Sequence, residues 1–236
     1  MSHVMPGLFG INFIQTLMEI NGLKLITSNL DVLLLGALVT LELTALAVAF
    51  GMILGLIFGL AKLSPQRRLI YGIATFYIDF FRGTPLFVQI LLLYFGILPM
   101  FGHVGDFSAA VIACSLNSGA YIAEIVRAGI QAIDKGQMEA GRSLGMTHGQ
   151  TMWYIILPQA YKVVIPPLIN EFIAMLKDTS LVSLIGVSEL TLRGKLLYSV
   201  SYNAAWVWGT VAIIYFIMTK LLAMLGDYVE RRLATE

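Results

Sequence analysis

The sequence predicts an all-α, multi-pass membrane protein with about five transmembrane helices. Three observations carry this reading. Of 236 residues, 58% are hydrophobic and 12% are charged, about half the roughly 25% charged share of a soluble domain. Mean hydropathy is +0.83. Apolar stretches near the ~20 residues that cross a bilayer recur along the chain between short polar segments.

The first 30 residues read as an interfacial segment on the outer surface. Leu8 to Met18 has no basic region before it and no small-residue cleavage site after it, so an amphipathic helix fits better than a secretory signal. Residues 31–228 form the membrane domain. Its first stretch, Val32 to Ala61, contains only Glu42 as a charge and exceeds one upright span, which predicts tilt or projection. Glu42 is expected to face a polar interior or to snorkel. The second stretch, Leu69 to Met100, holds Asp79 and Arg82. Within it, Arg82-Gly83-Thr84-Pro85 resembles a helix start, with Thr84 as N-cap and Pro85 first in the helix. We read the stretch as one kinked span, with an interfacial helix over Leu69 to Phe81 as the alternative. Phe107 to Ala123 is uninterrupted. Val163 to Leu176 is broken by Pro166-Pro167 and Glu171. Ala204 to Leu225 contains only Lys220, and residues 229–236 form a tail.

Basic residues set the orientation. Lys62, Arg67 and Arg68 lie in one connection, Arg127, Lys135, Arg142 and Lys162 in another, and Arg231 and Arg232 in the tail. With five spans these share a side, and positive charge favours the cytoplasm. The N-terminus is therefore expected outside and the C-terminus inside, with Arg193 and Lys195 weakening the asymmetry.

Several functions lose support. Net charge is +1, unlike the basic balance of nucleic-acid binders. The lone Cys114 cannot form an internal disulfide. His3, His103 and His148 have no ligand spacing, so no metal site is expected. No Gly-x-x-x-x-Gly-Lys loop occurs, so any ATP chemistry belongs to another chain. An enzyme reading has neither a nucleophile elbow nor paired catalytic carboxylates to support it.

Residues 134–158 form the most structured polar loop. Asp134 to Met146 favours helix, and Gly145 is placed to stop it. Thr147 and Gln150 have capping-box spacing for a second helix. The small Ala140 and Gly141 offer a surface that a partner can approach closely. An ordinary interfacial helix-turn-helix is the alternative.

Here the chain resembles bacterial ATP-binding-cassette importer permeases. Their signature loop reads Glu-Ala-Ala, three residues, Gly, nine residues, Ile-x-Leu-Pro. This sequence has Glu139-Ala140-Gly141, Gly145 and Ile155-x-Leu157-Pro158, with Gly141 in place of the third alanine. Phe81 to Leu86, Leu116 to Tyr121, Lys135-Gly136-Gln137 and Lys177 to Leu181 resemble the subfamily for polar amino acids such as histidine, glutamine and arginine. The resemblance implies a type I importer permease fold. It also implies a pair of permease subunits, of the same or a sister chain, two ATPase subunits that bind ATP and Mg, and an external binding protein. The loop then acts as a coupling helix on the ATPase, through Glu139, Ala140, Gly141, Gly145, Leu157 and Pro158. This chain itself is expected to hold no cofactor and to sit in a bacterial cytoplasmic membrane.

Ionisable groups within the bilayer are functional candidates because burying them is costly. Glu171 follows the two prolines, which remove backbone donors and free carbonyls. Asn117 and Tyr121 lie one turn apart on the third span. These three are the candidate substrate site for an amino acid. The alternative is structural, with Glu171 paired to Arg82 or Lys177. Asp79 with Arg82, and Glu124 with Arg127, have i,i+3 spacing and are expected to pair as packing or gating supports. An ion-coupled secondary transporter working alone is the competing function.

Overall fold

The computed structural model describes residues 21–235, and no strand occurs among them. Most of the expected N-terminal amphipathic helix lies outside the described residues. Residues 21–28 are helical and lead into α1 (Leu30–Lys62). At 1.5 Å per residue its 33 residues run about 50 Å, well beyond the ~30 Å hydrocarbon core. The expected excess length is therefore present.

The molecule is built on the pair formed by α1 and α4 (Asp106–Gln131). Lipid tails are as apolar as leucine, so helices in a bilayer associate through close packing, which small residues allow. Gly51, Gly55 and Gly59 recur at four-residue spacing along α1 and meet α4. A Cβ on Gly59 would lie 2.7 Å from the Ala123 carbonyl oxygen. Leu43, Ala47, Val48, Cys114, Ile122 and Val126 continue this contact as the main buried cluster. The face of α1 turned away is bare leucine and isoleucine, and Glu42 is exposed on it.

The second apolar stretch is bent rather than kinked. Helix α2 (Arg68–Gly83) and the helix beginning with α3 (Leu86–Leu91) meet at 110°. The chain continues as a π turn over Leu92–Ile97 and a 3-10 turn over Leu98–Phe101. Thr84 and Pro85 are both extended, and Pro85 is the N-cap, one residue later than expected. The reason is local: Pro disfavours helix at the residue before it, so Thr84 ends α2 and Leu86 opens α3.

Helix α5 (Lys135–Ser143) and the short α6 (His148–Thr151) form the polar loop. A π turn over Met152–Ile156 leads into α7 (Leu157–Asp178). The expected break at Pro166-Pro167 is absent, since α7 runs unbroken through both. A proline removes the hydrogen bond to the carbonyl four residues earlier. The carbonyls affected are those of Lys162 and Val163, two turns from Glu171, so they do not line its surroundings. A 3-10 segment over Thr179–Ile185 ends at Gly186 (φ 91°), and α8 (Leu190–Ser201) follows. Helix α9 (Ala204–Thr235) runs on through the tail.

Among the described residues, α1, α4 and the Ala204–Leu233 part of α9 are long and apolar enough to cross a membrane, and the bent pair can supply a fourth crossing. Helix α7 has 22 residues, about 33 Å, but carries Lys162, Glu171, Lys177 and Asp178. It packs against α4 and α9.

Candidate functional site

The polar loop is a small, fully capped knob. Asp134 caps α5 by accepting from the Gly136 amide at 2.6 Å. Gly145, at φ 85°, ends it. The Met146 amide donates to the Gly141 carbonyl and the Gly145 amide to that of Arg142, each at 3.1 Å, which is the Schellman arrangement. Thr147 and Gln150 close the expected capping box. These caps fix where both helices of the loop begin and where α5 ends.

Within the knob Gly141 points inward. It is buried, and a Cβ there would meet Thr151 Oγ1 at 2.8 Å and Ile155 Cδ1 at 3.2 Å. The expectation that Gly141 leaves room for a partner is therefore corrected: its small size serves the packing of α5 on α6. The outward surface is Glu139, Ala140, Arg142, Ser143 and Leu144. Leu144 is 82% exposed, an apolar side chain held at the tip of a polar loop. Leu157 is half-buried and Pro158 exposed where α7 begins.

The intramembrane groups sort onto two faces of α4. Asn117 and Tyr121 share one face, as their spacing predicts, and it looks toward the α2–α3 bend. Asn117 is buried, and its amide donates to Gln89 Oε1 at 2.9 Å and to the Phe81 carbonyl at 3.4 Å. Gln89 in turn donates to the carbonyls of Phe81 (2.8 Å) and Thr84 (2.9 Å) and to Thr84 Oγ1 (2.8 Å). The bend frees carbonyls from the helix ladder, and Gln89 satisfies them. Gln89 was missed from sequence because a glutamine within an apolar run carries no charge to draw attention. Tyr121 is exposed, and the Arg82 guanidinium lies 5.5 Å from its ring centroid.

The second face carries Ser118, whose hydroxyl donates to Glu171 Oε1 at 2.9 Å. Glu171 thus reaches α4 from α7, half-buried. Among the described residues it makes no ion pair, so the alternative pairing with Arg82 or Lys177 does not form. The expected Asp79–Arg82 pair also does not form. Asp79 meets Lys62 at 3.5 Å, because Lys62 ends α1 beside α2 while Arg82 turns toward α4. Lys62 also lies 3.7 Å from Glu124, and Glu124 pairs with Arg127 as expected. The result is one charged cluster across α1, α2 and α4.

A second group escaped the sequence reading. Glu189 is fully buried at the start of α8. It accepts from the amides of Leu192 (2.7 Å) and Thr191 (2.8 Å) and from the Tyr215 hydroxyl (2.9 Å). Thr40 on α1 accepts from the Leu190 amide at 3.2 Å. This knot joins α1, α8 and α9. An acidic residue just ahead of a helix was the available signal.

A helical body with bilayer-length spans, a carboxylate held between two of its helices and a capped knob on a polar connection fit a membrane transport subunit. The chain belongs to the family described as the binding-protein-dependent transport system inner membrane component, whose model matches residues 47–235. It is similar to the L-cystine transport system permease protein TcyB of Bacillus subtilis (strain 168), 44% identical over 200 residues, covering 84% of this chain and 85% of that protein. It is 40% identical over 199 residues to the arginine transport system permease protein ArtQ of the same organism, covering 84% and 90%. Among solved structures, a chain of an amino acid ABC transporter crystallised with histidines matches with a TM-score of 0.84 at 45% identity, over 88% of this chain and 96% of that one. The methionine ABC transporter MetNI in an inward-facing form shares the fold, with a TM-score of 0.74 at 22% identity over 86% and 97%.

Proposed function

We propose that this chain imports a polar amino acid, received from an external binding protein, and is driven by a separate ATPase that engages the α5–α6 knob. The observation that carries the proposal is the knob itself, a capped helix pair whose signature residues Glu139 and Ala140 and the exposed Leu144 face outward. A partner that binds it better in one conformation than in the other can switch the spans, and only that difference can do so. ATP and Mg belong to the ATPase, and a second permease subunit completes the pathway. The knob and the C-terminus then face the cytoplasm of a bacterium, and the N-terminus lies outside, as the basic residues predict.

Glu171 is the proposed substrate contact. A half-buried carboxylate with one hydroxyl donor retains acceptor capacity for an ammonium or a cationic side chain. Tyr121, exposed beside Arg82, is proposed to line the same route, with Asn117 holding the bend behind it. Asp79, Arg82, Glu124 and Arg127 are proposed to support gating at the charged end, and Pro166 and Pro167 to shape α7.

The test is reconstitution. Uptake of a labelled amino acid into liposomes is expected only with the ATPase, the binding protein and ATP all present. Uptake by this chain alone, driven by an ion gradient, would overturn the proposal in favour of a secondary transporter.

A further inference from the structure

Two cavities lie next to each other along α7, lined by residues adjacent in sequence. The first, about 490 Å³, lies between α1, α7 and α9 and is lined by Ala49, Met52, Ile169, Phe172 and Leu225 among other apolar side chains. The second, about 610 Å³, opens at the knob end of the same helices and is lined by Lys162, Pro166, Glu230, Arg231 and Leu233. They are continuous in sequence register, because Pro166 and Glu230 line one while their neighbours Ile165 and Val229 line the other. At about 100° per residue, Ile165, Ile169 and Phe172 lie on the flank of α7 turned away from Glu171 and its Ser118 partner. The groove is therefore separate from the proposed substrate site.

Its dimensions and charge pattern specify an occupant. From Lys162 to Ile173 the groove follows α7 for about 16 Å, close to the ~15 Å depth of one leaflet's hydrocarbon. The apolar lining, Ile165 to Ile173, takes up about 12 Å of that length, and a polar mouth with two cations and one carboxylate completes it. Lys162 makes no ion pair among the described residues. We infer that the groove holds one phosphatidylethanolamine molecule, with its acyl chain along α7 and α9, its phosphate at Lys162 and its ammonium at Glu230. Basic pockets between spans are suited to lipid phosphates, and the carboxylate selects a headgroup that also carries an amine. This inference rests on the membrane-spanning architecture and not on the transported substrate, so it can fail while the import function stands.

Native mass spectrometry of the purified full-length protein, delipidated and then titrated with defined lipids, tests it. One phosphatidylethanolamine per chain is expected, retained better than phosphatidylglycerol. Lys162→Glu is expected to lower that occupancy at least about fivefold, the weight of one basic side chain at a lipid surface. Ala49→Trp, which fills the groove, is expected to lower it as well. A photoactivatable acyl-chain analogue on the wild-type chain provides a readout that needs no variant, and is expected to label α7 and α9 peptides facing the groove. Equal retention of phosphatidylglycerol, unchanged occupancy in both variants or labelling spread evenly over all exposed faces would overturn it. So would cross-links from Met52 or Leu225 to a second copy, which would make the groove a protein interface.

Discussion

Gly141 illustrates how one residue can be read in two ways. By sequence it is a departure from an alanine and loosens a helix by about 1 kcal/mol relative to alanine. In the fold it sits against Thr151 and Ile155, where a methyl group would overlap both. Gly141→Ala is therefore expected to destabilise the knob by about 1–3 kcal/mol despite its better helix propensity, measured by hydrogen exchange of the α5 amides. Adding Thr151→Ala, which removes the obstructing atoms, should recover most of that loss. If Gly141→Ala alone protects the α5 amides better, the packing account is wrong. Glu171 is the other decisive residue. Glu171→Gln preserves size and an acceptor for Ser118 but removes the charge, so uptake is expected to fall at least about tenfold, the effect of roughly 1.4 kcal/mol, with thermal stability unchanged. Full uptake with unchanged selectivity would remove Glu171 from the substrate site. Asn117 differs from it, because its amide is already used on Gln89 and Phe81. Asn117→Ala should first show as reduced stability.

At the scale of elements, the α2–α3 bend and the α5–α6 knob depend on different physics. The bend exposes carbonyls inside the protein, and Gln89 is the side chain that satisfies them. Gln89→Leu keeps the volume near its original value but removes the donor to the Thr84 carbonyl and leaves the Phe81 carbonyl only the longer Asn117 contact, at a cost of about 1–3 kcal/mol. The expected outcome is a lower melting temperature and new proteolytic sensitivity near Thr84, while Gln89→Glu is expected to be worse because it supplies no donor when ionised. The knob was legible in advance because caps are local chemistry. Gly145, Thr147 and Gln150 each act within four residues of their partners. The bend was only half legible. The Arg-Gly-Thr-Pro run marked the break, but its 110° angle and its dependence on a glutamine from the next helix arise from packing. Elsewhere, Pro166-Pro167 misled for the same reason: proline weakens a helix locally, and α7, packed against neighbouring helices, continues through both.

At the scale of the whole molecule, the glycine row of α1 against α4 is the seam on which the other helices are assembled. Gly55→Leu inserts four carbons where Ile122 and Ala123 already lie. It is expected to abolish stable insertion or to lower the melting temperature strongly, whereas Gly72→Ala, whose surroundings are open, should be neutral. Transport coupling belongs to this scale too. Leu144→Asp alters only an exposed tip, so the fold should survive while ATP hydrolysis by the partner no longer yields uptake. Retained coupling in that variant would show that the tip does not make the contact. The chain's composition alone determined its solvent, its helical class and its repeated spans, because these depend on how many apolar residues run together. Local spacing alone determined the glycine stop of α5 and the Thr147–Gln150 capping box. Only the tertiary structure decided that Asp79 meets Lys62, that Glu171 meets Ser118, that Gly141 faces inward and that Glu189 ties three helices together. Those contacts join residues far apart in the chain, and which charges and hydroxyls meet is fixed by the angles at which the helices pack.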